Sequence, residues 1–132
     1  PVDHVVASSI DDTAGARTVD RIPDDAMALD IGPRSREAIA ARIASAKMVF
    51  WNGPLGAFEI KPFDAATMDI ARTVSRLTKA GKLSSVGGGD GTVAALNAAG
   101  VIDDLTYVST AGGAFLEWME GKALTGVVAL QS

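Results

Sequence analysis

The chain has 132 residues, of which 48% are hydrophobic and 21% charged, and its formal net charge at pH 7 is −4. This composition supplies enough apolar material for one folded domain and excludes a disordered chain. Interspersed acidic and basic residues argue against a nucleic-acid-binding protein, and the absence of cysteine excludes disulfides and thiolate sites. No apolar run has the length of a membrane span and no signal peptide is recognisable, so we expect a cytoplasmic protein without a membrane partner.

The first third of the chain predicts two strands and a helix. Residues 4–10 read as a strand, whereas residues 11–26 are polar, turn-rich and predicted to be irregular. Residues 27–32 predict a second strand, and residues 33–46 predict a helix whose first turn suits Pro33. Because the chain starts without methionine directly beside a strand, we expect it to be a fragment.

The rest of the chain predicts the strand–helix alternation of a parallel sheet. Residues 47–53 (KMVFWNG) are apolar in the middle, as a buried parallel strand should be, and a loop at 54–62 leads to a helix at 63–80. The alternation continues with strands at 82–88 and 105–110 and with helices at 92–99 and 111–121. These units predict a parallel sheet covered by helices on both faces.

Glycine-rich segments follow three of the predicted strands, at 51–56 (WNGPLG), 87–91 (GGGDG) and 109–113 (STAGG). In a parallel sheet these segments meet at the edge where ligands bind. Glycine lets the backbone approach a ligand closely, and a helix N-terminus offers free N–H groups and partial positive charge. One such segment is equally well explained as a tight turn, but three at one edge favour phosphate or nucleotide binding.

Several residues in these segments admit two interpretations each. Asp90 could share a Mg²⁺ ion with phosphates, or it could cap the following helix. Asn52 could bond a ligand or close a turn. Glu59 could accept hydrogen bonds from ribose hydroxyls, although spacing alone favours a solvated carboxylate. Trp118 and Met119 are interpreted as core residues of the last predicted helix.

Four segments together resemble one known family. LDIGP (29–33), VFWNGPLGAFE (49–59), GGGD (87–90) and STAGGAFLEWMEGK (109–122) occur in the order and spacing of the C-terminal, nucleotide-binding domain of phosphoglycerate kinases. The resemblance covers almost the whole chain. It implies an α/β, Rossmann-like three-layer domain that is only partial, since the N-terminal lobe and the start of this lobe would be absent.

The resemblance also implies an activity and a set of roles. Phosphoglycerate kinases reversibly transfer a phosphoryl group between 1,3-bisphosphoglycerate and MgADP, giving 3-phosphoglycerate and MgATP. The sugar-acid phosphate would bind the N-terminal lobe, the full-length enzyme would be monomeric, and the fragment alone would be inactive. The motifs place Asn52, Gly53 and Pro54 in the nucleotide pocket, Glu59 at the ribose, Gly88, Gly89, Asp90 and Thr92 at the phosphates with Asp90 near Mg²⁺, and Gly112 and Gly113 at the transferring phosphoryl group.

One segment departs from the family pattern. The family has aspartate followed directly by threonine or serine, whereas here Gly91 separates Asp90 from Thr92. If the register is held on both sides, Gly91 takes the place of the aspartate. Residues 88–92 (GGDGT) resemble the diacylglycerol, sphingosine and NAD kinases more closely, but that group does not account for the other segments. A non-catalytic nucleotide-binding module is a third alternative.

Overall fold

The computed structural model describes residues 1–131. In chain order their elements are β1 (His4–Ala7), β2 (Arg17–Val19), β3 (Met27–Ile31), α1 (Pro33–Ser45), β4 (Met48–Asn52), α2 (Ala65–Lys79), β5 (Ser84–Gly88), α3 (Asp90–Ala98), a 3₁₀ turn (Ile102–Asp104), β6 (Tyr107–Ser109), α4 (Gly112–Met119) and α5 (Thr125–Gln131). Within this described part, no helix combines the length and the apolar character needed to cross a bilayer.

The parallel sheet is confirmed and has the strand order β4-β5-β6. Trp51 pairs with Gly87, which in turn pairs with Val108. A parallel pair needs a crossover connection, and α2 and α3 supply the two crossovers. All three strands therefore end at the same edge of the sheet.

The main core lies on the face of this sheet that carries α2. Apolar residues of α2 recur at helical spacing, and Ile70, Val74 and Leu77 are buried against Trp51 of β4 and Leu96 of α3. Burying each such side chain contributes about 1.5–3 kcal/mol, so this cluster anchors the helices to the sheet.

The opposite face of the sheet is covered by α4. Phe50 alternates with Trp51 along β4, and its ring stacks on Phe115 with centroids 5.4 Å apart. Helices therefore lie on both faces, which confirms the predicted layering. The assignment of Trp118 and Met119 to the core is wrong, because these side chains are 63% and 54% exposed. Phe115 is the residue of α4 that reaches the sheet.

The first three strands form a separate sheet, which corrects the prediction of a single parallel one. Its order is β2-β1-β3, and both pairs are antiparallel. Arg17–Val19 is a strand within the segment predicted to be irregular. The physical reason is the short connections: none of the segments between β1, β2 and β3 contains a helix, and antiparallel strands need no crossover.

Two helices begin at residues other than those predicted, and one helix was not predicted. Helix α2 begins at Ala65 rather than at residue 63, and Phe63, just before it, is fully buried in a second cluster with Ala7 and Leu29. Helix α3 begins at Asp90 rather than at Thr92, and α5 follows the last predicted helix. Pro33 does occupy the start of α1, as predicted.

Candidate functional site

The glycine-rich segments after β5 and β6 are in direct backbone contact. A Cβ atom on Gly112 would lie 2.4 Å from the Cα of Gly89 and 2.7 Å from its nitrogen. The N–H of Gly89 donates to the carbonyl oxygen of Ser109 at 3.2 Å, which ties the ends of the two strands together. Gly89 has a φ of +94°, a conformation that favours glycine.

The segment after β4 joins the same edge. Asn52 Oδ1 is 3.1 Å from the position of a Cβ on Gly89, and the ring of Pro54 is 3.2 Å from that of a Cβ on Gly91. We call the edge formed by Asn52–Pro54, Gly88–Thr92 and Gly112–Gly113 the glycine rim. The structure thus brings together all of the predicted site residues except Glu59.

Two helices begin at the glycine rim. Gly89 is the N-cap residue of α3, and Gly112 is the first residue of α4. The first turn of a helix leaves N–H groups free and carries partial positive charge, which favours anions. A Cβ on Gly113 would meet nothing within 4 Å, so the space beside the first turn of α4 is open to an approaching group.

Thr92 is fully buried and has a structural bond that the sequence did not reveal. Its hydroxyl oxygen accepts a hydrogen bond of 2.7 Å from the N–H of Gly53. This bond joins the segment after β4 to α3 across 39 positions of sequence. The hydroxyl retains its own proton for donation.

Asp90 is exposed at the first position of α3. Gly89 rather than Asp90 is the N-cap residue, so the simple capping interpretation of Asp90 does not hold. Residues 1–131 contain no group of three or more His, Cys, Asp or Glu side chains able to hold a metal on its own. Mg²⁺ is commonly held by one or two carboxylates together with substrate phosphates, so the lone Asp90 fits an ion that arrives with a nucleotide.

Glu59 is exposed and lines a separate recess of about 450 Å³. The recess reaches Ala98, the last residue of α3, whereas the glycine rim lies at the beginning of that helix. Phe58 and Met68 supply apolar lining, and the other lining residues are Lys61, Asp64, Arg72 and Ala98. The role of Glu59 at a ribose stays a prediction.

The loop between β4 and α2 is fixed by hydrogen bonds to residues that the sequence did not indicate. The hydroxyl of Thr67, itself fully buried, accepts a 3.0 Å hydrogen bond from the N–H of Leu55 and donates to the carbonyl oxygen of the same residue. The indole N–H of Trp51 donates to the carbonyl oxygen of Gly53 at 2.5 Å. A threonine on the apolar face of α2, beside Ala66 and Ile70, is the sequence signal that could have revealed Thr67.

Comparison with known proteins identifies a family for this chain. The family model described as phosphoglycerate kinase matches residues 1–122. The chain is 61% identical to the phosphoglycerate kinase of Agrobacterium fabrum over 98% of its length, and 60% identical to that of Rhodopseudomonas palustris over 99%. The chain spans only 33% of the length of each of these relatives.

Solved structures give the same result for the fold. The phosphoglycerate kinase of Coxiella burnetii superposes with a TM-score of 0.80 at 37% identity, covering 92% of this chain and 31% of that one. The phosphoglycerate kinase of Pyrococcus horikoshii OT3 superposes with a TM-score of 0.78 at 28% identity, and the match covers 99% of this chain and 32% of that one. This likeness extends over nearly the whole chain, whereas the resemblance to diacylglycerol and NAD kinases is confined to residues 88–92.

Proposed function

Because the chain belongs to the phosphoglycerate kinase family, we propose that it forms the C-terminal part of the nucleotide-binding lobe of such an enzyme. The reaction is the reversible transfer of a phosphoryl group between 1,3-bisphosphoglycerate and ADP. The observation that carries the proposal is the contact between Gly89 and Gly112, which places the N-termini of α3 and α4 side by side at the glycine rim.

In this proposal the glycine rim receives the nucleotide phosphates. Gly88 and Gly89 allow the backbone to approach them, and N–H groups at the start of α3 donate to their oxygens. Gly112 and Gly113 present the N–H groups of α4 to the phosphoryl group being transferred. Catalysis consists of positioning and of charge stabilisation, with no covalent intermediate on the protein.

The remaining residues bind the rest of the nucleotide. Asn52, Gly53 and Pro54 line its pocket, and Glu59 accepts hydrogen bonds from the ribose hydroxyls. Thr92 fixes Gly53 in place and has a proton to donate towards a phosphate oxygen. Asp90 would hold the Mg²⁺ ion that accompanies ADP or ATP, and that ion would neutralise charge on the phosphates.

The phosphoglycerate substrate is proposed to bind outside this chain, on the other lobe of a complete enzyme. We therefore expect the isolated chain to bind nucleotide without turnover. We also propose that the complete enzyme is a cytoplasmic monomer with no nucleic-acid or membrane partner.

Trp51 makes the nucleotide proposal measurable. Its side chain is 8% exposed and bonded to Gly53, so a ligand at Gly53 or Pro54 should alter its fluorescence. The chain has two tryptophans, and Trp118→Phe removes the exposed one. Titration of this variant with MgADP should give a saturable signal.

Glu59→Ala and Glu37→Ala are a matched pair for that titration, since both glutamates are exposed and Glu37 lies on α1. Loss of the ribose hydrogen bonds should weaken MgADP binding about tenfold or more in Glu59→Ala and leave Glu37→Ala unchanged. No saturable signal in Trp118→Phe would contradict nucleotide binding by this chain. Equal affinities in the two variants would contradict the role of Glu59.

A further inference from the structure

Asp30 belongs to the segment LDIGP, to which the proposed site assigns no role. It lies near the end of β3 and is only 4% exposed. Each carboxylate oxygen accepts a backbone N–H: Oδ1 from Ile31 at 2.8 Å and Oδ2 from Ala66 at 2.9 Å. A buried carboxylate bonded in this way has a defined position and orientation.

The bond to Ala66 makes Asp30 a distant cap of α2. Asp64, the N-cap residue of that helix, makes no capping hydrogen bond with its own side chain, and Ala66 is the second residue of the helix. The N–H of this residue is normally satisfied by the N-cap side chain. A negative charge at this end of a helix is also favoured by the helix dipole.

Asp30 also lies directly beneath the loop that joins β4 to α2. A Cβ atom on Gly56 would lie 2.6 Å from Asp30 Oδ1 and 2.6 Å from the carbonyl oxygen of Leu29. Gly56 has a φ of +60°, and the N–H of the next residue, Ala57, donates to that same carbonyl oxygen at 2.8 Å. The middle of the loop is therefore seated on the end of β3.

Burial raises the pKa of Asp30, although the bonds from Ala66 and Ile31 and the charge of Arg36 act in the opposite direction. The nearby carboxylate of Asp64 adds to the rise. A buried carboxylate beneath a loop is thus costly in its ionised form. An amide side chain of similar size would carry no such cost but would lose one of the two acceptors.

We propose that Asp30 is a positioning residue of the nucleotide site, because its carboxylate fixes both the start of α2 and the seat of the loop from Gly53 to Glu59. The inference rests on the proposed function, since that loop carries Gly53, Pro54 and Glu59. Asp30 touches no nucleotide in this scheme. It acts through the loop, whose two ends lie at the glycine rim and at the recess lined by Glu59.

Asp3 provides a matched control for this inference. It is 1% exposed and accepts N–H bonds from Arg34 at 3.0 Å and Ser35 at 2.8 Å, at the start of α1. Both aspartates are therefore buried carboxylates that cap a helix from a neighbouring strand region. The glycine that packs against Asp3 is Gly32, which lies outside the β4–α2 loop.

The test compares Asp30→Asn with Asp3→Asn by residue-resolved amide hydrogen exchange and by MgADP titration. Asp30→Asn should speed exchange at Ala57 and Ala66 by about tenfold beyond the change in global stability, and weaken MgADP binding severalfold. Asp3→Asn should speed exchange at Arg34 and Ser35 and leave Ala57 and the MgADP affinity unchanged. A general loss of stability would instead speed amide exchange and weaken MgADP binding in both variants alike.

Gly56→Ala supplies a second route should Asp30→Asn fail to fold, with Gly81→Ala as its control. Both glycines have positive φ, but a Cβ on Gly81 would meet nothing within 4 Å. Gly56→Ala should speed exchange at Ala57 and weaken MgADP binding, and Gly81→Ala should do neither.

The outcomes separate the two proposals. Unchanged exchange at Ala57 in both Asp30→Asn and Gly56→Ala would overturn the positioning role. Altered exchange at Ala57 with unaltered MgADP affinity would also overturn it, because the loop would then move without consequence for the site. Failure of the parent chain to bind MgADP would instead overturn the proposed function, while exchange at Ala57 would still decide whether Asp30 holds the loop.

Discussion

Gly112 packs against Gly89 so closely that no side chain fits between the two backbones. We therefore expect Gly112→Ala to destabilise the fold by about 1–3 kcal/mol, because its Cβ would lie 2.4 Å from backbone that cannot swing aside. Gly113→Ala is the control: its Cβ meets nothing within 4 Å, and alanine in a helix is favoured over glycine by up to about 1 kcal/mol. Urea unfolding measures both. Equal stability of the two variants would contradict the close contact.

The bond from Gly53 to Thr92 predicts a different pair of variants. Thr92→Val removes the acceptor and leaves a partly buried N–H unpaired, at a cost of about 1–3 kcal/mol. Thr92→Ser keeps the hydroxyl and loses only a methyl group. Amide exchange at Gly53 should therefore be faster in Thr92→Val and close to the parent rate in Thr92→Ser. Protection of Gly53 in the valine variant would show that Thr92 does not hold the loop.

Asp3 predicts an acid-sensitive contribution to stability. Burial raises the pKa of this carboxyl, but hydrogen bonds from Ser35 and Arg34 and the charge of Arg34 outweigh that effect and lower the pKa from 3.8 to about 2. A lowered pKa stabilises the folded state at higher pH. The contribution is therefore present above pH 3.8 and is lost as the pH falls towards 2.

Urea midpoints measured between pH 5 and pH 2 test this contribution. Asp3→Asn should flatten the fall in stability over that window. Asp30 has a raised pKa and acts in the opposite sense, since its contribution is lost as the pH rises. If stability falls as steeply with pH in Asp3→Asn as in the parent chain, Asp3 does not contribute to the loss of stability in acid.

The stacking of Phe50 on Phe115 predicts how firmly α4 is attached. Phe115→Leu keeps an apolar side chain but removes the aromatic pair, which should cost about 0.5–1.5 kcal/mol and speed amide exchange along α4. Met119→Leu, at a side chain that is 54% exposed, should change neither quantity. Exchange in α4 that is insensitive to Phe115→Leu would mean that other contacts hold the helix.

Much of the parallel sheet could be predicted from the sequence, because its signals are local. The apolar run ending at Asn52, the helical spacing of Ile70 and Val74, and glycines directly after predicted strands each depend on neighbours in the chain. Parallel strands share one edge for their carboxyl ends, so the meeting of the three glycine segments followed from the alternation alone. The structure brings these segments into contact.

Only the tertiary structure decided which groups are partners across long stretches of sequence. The antiparallel pairing of β1 and β3, the capping of α2 by Asp30 and the bond between Thr92 and Gly53 each join residues far apart in the chain. Exposure of Trp118 depends on how α4 is oriented over the sheet, with Phe115 turned inward. Local periodicity reflects burial within one element, whereas hydrogen-bond partners and helix orientation are set by packing between elements. The sequence alone therefore identified the glycine rim but not the hydrogen bonds and contacts that stabilise it.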